Sequence, residues 1–233
     1  MRRTEEIEAV RNLAPFEGMR AGSFDELVER AFFQRFPAGV VVLEQGQPPE
    51  MLHIVVEGAV EMYGETAGCE TTIAIFQPLS AFILAAVMTD QPHLMSARTL
   101  ETTRLLMIPA PVIHDLMESD SAFALAMATE LARGFRTMVK TAKNLKLRDA
   151  APRVANYLLA LRDEKGADET MTLPYGRNVI ASLLGITRES LSRVLPMLRA
   201  HGIVVQGRHV TFRDLAKARA FAQPDPLIDS PHT

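Results

Sequence analysis

At 233 residues, with 48% hydrophobic and 23% charged side chains, the chain can build one large domain or two small ones and is not disordered by composition. Its single cysteine, Cys69, excludes an intrachain disulfide framework and a thiolate-held iron–sulfur cluster within one chain, and suits a reducing compartment. The net charge of -3 excludes a uniformly basic protein, yet between Arg177 and Arg219 there are 8 basic residues against 2 acidic ones. Such a local basic patch is a footprint that nucleic acid attracts, although alone it is equally a solvated face.

The opening "MRRTEEIEAVRNL" is charged and has no apolar signal-peptide core. No apolar run approaches the roughly 18 residues that span a bilayer. The expectation is a soluble cytoplasmic protein without membrane contact. Short helices are predicted over 4–13 and 23–32. From Phe36 to about Ile108 the pattern becomes β-rich, with "GVVVLEQG", "MLHIVVEGAVEMY", "ETTIAIFQP" and "TRLLMIP" as the clearest runs. Leu52, Ile54 and Val56 alternate with His53 and Val55, which is the period of a strand. Turn signals recur at Gly39, Gly46, Pro48, Pro49, Gly58, Gly64, Gly68 and Pro78, so an antiparallel barrel or roll is predicted.

From about Ala110 the spacing turns helical. Met117, Ser121, Ala124, Ala128, Leu131, Phe135, Met138, Ala142 and Leu145 follow alternating steps of four and three. A seam that narrow and that long suits pairing with another helix, although a core helix lying along the roll fits the same pattern. Leu131, Phe135, Met138, Ala142 and Leu145 are the expected dimerisation residues. Asp149 then reads as an N-cap with Pro152 in the first turn of "AAPRVANYLLALRDEKG". The predicted divisions are 1–115, a β-roll with N-terminal helices; 116–148, a dimerisation helix; and 149–233, a DNA-binding domain.

Two helical segments, about 177–184 and 187–200, are separated by a turn at Gly185, with Thr187 able to cap the second. A hairpin over Val204–Thr211, turning at Gln206-Gly207, follows, and the proline-rich tail "QPDPLIDSPHT" is expected to be poorly ordered. Helix, Gly turn, helix and hairpin make a winged helix-turn-helix, whose second helix reads the major groove from its N-terminal end. That end carries Arg188, Glu189, Ser192 and Arg193 on one face. Arginine can donate twice to guanine and glutamate can accept from cytosine. Glu189 and Arg193, four apart, can also orient each other, or form no more than a surface ion pair. Thr187, Arg177 and the wing residue Arg208 are also expected to contribute to DNA binding, Arg208 through phosphate. Pro196, inside the same helix, has no firm functional account beyond a bend away from the DNA.

The order of these elements resembles the CRP/FNR superfamily of bacterial transcription regulators. "GITRESLSRVLPMLRAHGIV" is similar to that family's recognition helix, and "LEQGQPPEMLHIVVEGAVEMY" resembles its roll. The resemblance implies an α+β chain: a cyclic-nucleotide-binding-like jelly roll, a long dimerisation helix and a winged helix-turn-helix. It also implies a homodimer on palindromic double-stranded DNA and a partnership with RNA polymerase. Glu189, Ser192 and Arg193 match the FNR-type triplet and Arg188, Glu189 and Arg193 the CRP-type set, which implies a half-site containing TGA. No enzymatic constellation is present in the sequence, since the histidines are scattered singly. The competing reading is a ligand-binding roll whose helix-turn-helix serves protein contacts.

Where cyclic-nucleotide binders place a ribose-binding Glu and a phosphate-binding Arg, "SAFILAAVMTDQPHLMSARTL" has Ala85 and Met95-Ser96. Without the arginine a phosphodiester loses its charge-assisted contact, so cyclic AMP is not expected. Phe82, Leu84, Met95 and Ser96 are the candidate effector-pocket residues. The roll may be read three ways: self-filled scaffold, apolar-ligand pocket, or haem site with His93 or His53 as axial ligand. No cofactor is otherwise expected. Cys69, in a hairpin flanked by Glu65 and Glu70, reads as inert.

Overall fold

The computed structural model describes residues 2–230. Helices α1 (Arg2–Arg11) and α2 (Ala21–Arg30) lead into strands β1 (Phe32–Phe36), β2 (Val41–Leu43), β3 (Met51–Glu57), β4 (Val60–Thr66), β5 (Cys69–Phe76) and β6 (Ser80–Phe82). Helix α3 (Leu84–Thr89) precedes β7 (Ser96–Thr99) and β8 (Thr103–Pro109), and α4 (Ala110–Ser119) and α5 (Ser121–Leu147) follow. The C-terminal part comprises α6 (Ala150–Glu164), β9 (Thr170–Thr172), α7 (Arg177–Leu183), α8 (Arg188–Ala200), β10 (Ile203–Gln206), β11 (His209–Phe212), α9 (Leu215–Ala222) and α10 (Pro226–Asp229). Two compact units divide within α5, after Phe135. Among the described residues no helix is long and apolar enough to cross a membrane.

The first unit is the expected roll, made of two antiparallel four-stranded sheets in the orders β1-β8-β3-β6 and β2-β7-β4-β5. Strand β3 shows why its sequence is apolar on both sides. Leu52 and Ile54 pack with Phe16, Phe24, Ile113 and Phe123 in a core built with the helices, whereas Val55 packs with Leu43, Met62, Phe82 and Leu105 inside the roll. A sheet covered on both faces has no side left for alternation with polar residues. Gly58, at φ +86, makes the turn into β4, and a Cβ there would lie 2.6 Å from the Thr103 hydroxyl. Arg98 on β7 bridges Glu61 on β4 and Glu70 on β5, at 2.7 Å each, with its guanidinium 4.3 Å from the Tyr63 ring centroid.

Three expectations about elements need correction. The roll begins at Phe32 rather than Phe36, because Phe32–Phe36 pairs with β8 along its whole length. The long helix starts at Ser121 rather than 116: Asp120 adopts an extended conformation and separates α4 from α5. Its carboxylate accepts from the Ala122 and Phe123 amides, capping α5, and from the Arg20 amide at 3.0 Å. That amide is the chief reason its carboxyl is held down to about 2. The break takes Met117 off α5. Lastly, residues 223–230 of the tail are placed, with α10 among them, and an additional helix, α9, precedes them; 231–233 lie outside the described residues.

Candidate nucleic-acid interface

The recognition unit is assembled by backbone rules that the sequence states openly. Helix α7 ends in a Schellman arrangement: the Gly185 amide donates to the Ser182 carbonyl and the Ile186 amide to the Ala181 carbonyl. Gly185 takes φ +62, and a Cβ there would meet Leu145 at 2.7 Å, so conformation and space both demand glycine. Thr187 then caps α8 by accepting from the Ser190 amide at 3.1 Å. Leu191, Val194 and Leu198 bury the inner face of α8, with Leu195 half-buried. Arg153 of α6 sits buried behind the turn. Its guanidinium donates to the carbonyls of Leu184 (2.7 Å), Leu145 (3.0 Å) and Arg148 (2.8 Å), tying the turn to the end of α5.

The outer face of α8 presents Arg188, Glu189, Ser192 and Arg193, all exposed, around one shallow depression. Glu189 and Arg193 do not pair as their spacing suggested. The Glu189 carboxyl is held below the usual range chiefly by its own backbone amide, with the Thr187 hydroxyl and the charges of Arg188 and Arg193 contributing. Arg193 instead donates to the Ser190 hydroxyl at 3.2 Å. Ser190 was not singled out from the sequence, although the i, i+3 spacing of Thr187, Ser190 and Arg193 is the signal for it. Pro196 lies exposed, and α8 runs through it. The Ser192 carbonyl, deprived of its amide donor, is on the solvent side, where water can satisfy it.

Arg177 opens α7 and is half-buried. The wing is a β10-β11 hairpin on β9, its register placing Gly207-Arg208 at the tip rather than Gln206-Gly207. Arg208 is not extended towards a ligand. Its guanidinium donates twice to the Leu173 carbonyl (3.0 and 2.7 Å) and once to that of Pro174 (2.7 Å), fastening the wing to the approach to α7. Three hydrogen bonds to two carbonyls hold the guanidinium back, so a phosphate role would need it to swing away.

The four candidate effector residues do not line one space. Phe82 and Met95 pack into the roll interior, Leu84 belongs to the helical core on the other side of the sheet, and the Ser96 hydroxyl accepts from the Gln45 amide at 2.9 Å. Ala85 is exposed on α3. His53 and His93 are buried, and neither His53 nitrogen nor His93 Nδ1 has a hydrogen-bond partner. His53 stacks on Phe82 with centroids 5.2 Å apart, and Phe82 in turn meets Phe76 at 5.6 Å. A porphyrin would have to displace these rings to reach the His53 imidazole, so the residues around His53 do not fit haem. Among the described residues no group of three or more His, Cys, Asp or Glu side chains is placed to hold a metal ion.

Burial pushes His53 down from 6.5 to about 4, against an upward pull from the Met51 backbone, and His93 adds to the lowering. Protonation in that range therefore favours the unfolded chain, whose imidazole binds a proton near 6.5. His53 should contribute fully to stability above about pH 6.5, lose that contribution as the pH falls towards 4, and add no further loss below. Denaturant midpoints for wild type and His53→Phe across that window should converge in slope only if this titration is absent.

A roll, a long helix and a winged helix-turn-helix with two arginines exposed on its second helix define a DNA-binding transcription regulator. Known sequences agree. A cyclic nucleotide-binding domain model matches residues 33–120 and a Crp-like helix-turn-helix domain model matches 152–221. The chain is 25% identical over 206 residues to the CRP-like cAMP-activated global transcriptional regulator of Mycobacterium tuberculosis, covering 85% of this chain and 92% of that one. It is 26% identical over 205 residues to the transcriptional activator protein anr of Pseudomonas aeruginosa, covering 86% and 83%. The solved structure of FixK2 from Bradyrhizobium japonicum shares the fold with TM-score 0.73 at 22% identity, over 84% of this chain and 98% of that one. The chain belongs to the CRP/FNR family of transcription regulators. These two relatives are transcription regulators, not enzymes.

Proposed function

We propose that the protein acts in the cytoplasm as a homodimer on palindromic promoter DNA with TGA-containing half-sites, in concert with RNA polymerase and without cyclic AMP. The observation that carries this is the exposed reading face of α8, held by a capped N-terminus and backed by a buried core. In the dimer, α5 supplies the axis. Leu125, Phe135, Met138, Val139, Leu145 and Leu147 are all exposed large apolar residues on that one helix, more than a soluble monomer ordinarily leaves uncovered. In this reading the working divisions are the roll to about residue 115, the coupling helix to about 148, and the DNA-binding domain beyond.

Independence from cyclic AMP is supported by Met95, an uncharged side chain packed among apolar ones, and by the Ser96 hydroxyl, which is already engaged. The roll then serves as scaffold. A binding-site selection on wild type, Glu189→Ala and Arg208→Ala tests the reading. Glu189→Ala should relax preference at one symmetric pair of positions, where a good base contact is worth about tenfold or more in discrimination. Arg208→Ala should leave the selected motif unchanged and weaken all duplexes alike. Cyclic AMP should change neither motif nor affinity. Selection of the same motif by Glu189→Ala, a cyclic AMP response, or a Soret band in purified protein would each refute the corresponding part.

A further inference from the structure

The tail past the wing holds the most heavily bonded ion pair in the C-terminal unit. Arg148 occupies the corner between α5 and α6, and Asp229 on α10 meets its guanidinium fork to fork, with Nη1 donating to Oδ1 at 2.7 Å and Nη2 to Oδ2 at 2.6 Å. The side chains are only 9% and 20% exposed, and Nη1 also donates to Asn144 on α5 at 3.1 Å. Lys140, two turns earlier on α5, donates to the Ser230 carbonyl at 2.8 Å. At the other end the tail is held by Asn156 of α6, whose amide donates to the Ala222 carbonyl at 2.6 Å. The Asp225 amide donates to Asp229 at 2.7 Å, fixing the carboxylate that faces Arg148.

This strap crosses the corner between α5 and α6. It continues inward, because the Arg148 carbonyl accepts from Arg153, which also holds the Leu184 carbonyl at the turn before α8. Residues 223–230 lie beyond 152–221, the stretch matched by the helix-turn-helix model, so the family pattern does not assign them. A bidentate, largely desolvated arginine–carboxylate pair specifies orientation as well as energy. Here the orientation it specifies is that of α5 against the domain carrying α8.

We infer that Asp229 is a positioning residue for DNA recognition: through Arg148 it fixes the angle between α5 and the winged helix, and so the half-site spacing that the dimer accepts. The inference rests on the dimeric DNA-binding reading above. One base pair added between half-sites moves the second by about 3.4 Å and rotates it by about 35°. A dimer with clamped corners cannot follow that change, whereas one with loose corners can.

The test measures binding of the full chain to palindromes with the optimal spacer and with one base pair more or fewer. Wild type, Asp229→Asn, Arg148→Glu and the exchanged pair Arg148→Glu/Asp229→Arg are compared, with thermal melting and half-site sequence preference recorded for each. Wild type should lose about tenfold in affinity on either altered spacer. Both single variants should bring that loss to about twofold while keeping the half-site preference, and the exchanged pair should restore it. An unchanged spacing profile in the single variants would overturn the inference. So would a uniform loss on all spacers that merely tracks melting temperature, since the strap would then act on stability alone. If wild type shows no advantage for two half-sites over one, the dimeric reading itself has failed, and that outcome is recognisable without any variant.

Discussion

Replacing Phe135 and Met138 together with glutamate is expected to leave a monomer in light scattering where wild type is a dimer. Affinity for a palindromic duplex should fall by about two to four orders of magnitude, because the second half-site is no longer bound intramolecularly. Affinity for an isolated half-site should not change. Phe135 is 70% exposed and Met138 50% exposed on α5, so neither substitution opens a hole in the chain's own core. Glutamate is a good helix former, and the repulsion between the two new carboxylates, three residues apart, costs a single helix only about 0.2–0.5 kcal/mol. Across a two-fold axis, however, the new charges would face their own copies in a desolvated seam, where like charges are strongly disfavoured. Leu131, which the heptad pattern also nominates, makes a poorer probe: it is half-buried against the helical core beside Phe123 and Met127. A double variant that keeps its dimer mass at micromolar concentration would place the interface elsewhere.

Much of this architecture is legible in the sequence because local rules and tertiary structure agree. The run "TRLLMIP" is strand β8 from end to end, and Gly185, Thr187 and the apolar face of α8 spell out the helix-turn-helix. The features that were not legible share one physical cause, a partner distant in the chain. The seven-residue rhythm passes through Asp120 without interruption, and the carboxylate that caps α5 there is also held by the Arg20 amide, 100 residues away. Leu84 sits in an apolar run with Phe82, yet Ile83, at φ +61, turns the chain so that the two serve different cores. Arg208 has the composition of a phosphate contact and the geometry of a wing fastener, since nothing local announces the Leu173 carbonyl. The tail looks like a disordered end by composition, and its order comes from Arg148 and Asn156, residues 81 and 66 positions from their partners.

The same dependence on a distant partner gives Arg98 a large expected effect on the stability of the roll. Glu61 is 2% exposed on β4, and its carboxylate is satisfied by Arg98 Nε at 2.7 Å and by the Thr72 hydroxyl at 2.5 Å. Arg98→Ala removes the cation and leaves a buried carboxylate with one neutral donor. Losing one member of a buried pair costs about 3–5 kcal/mol. Arg98 itself is 32% exposed, so water can enter the vacated space, and a value near the lower end, about 3 kcal/mol, is expected in denaturant unfolding. Arg98→Lys should recover part of the loss and not all of it, because an ammonium cannot bridge Glu61 and Glu70 as the fork does or lie flat over Tyr63. The decisive comparison adds Glu61→Gln to Arg98→Ala. If the cost comes from an orphaned charge, removing the charge must make the double variant more stable than Arg98→Ala alone, an inversion that loss of packing cannot produce. Equal or additive losses would mean that Arg98 stabilises the sheet through its apolar stem and its ring contact, with Glu61 hydrated well enough not to need it.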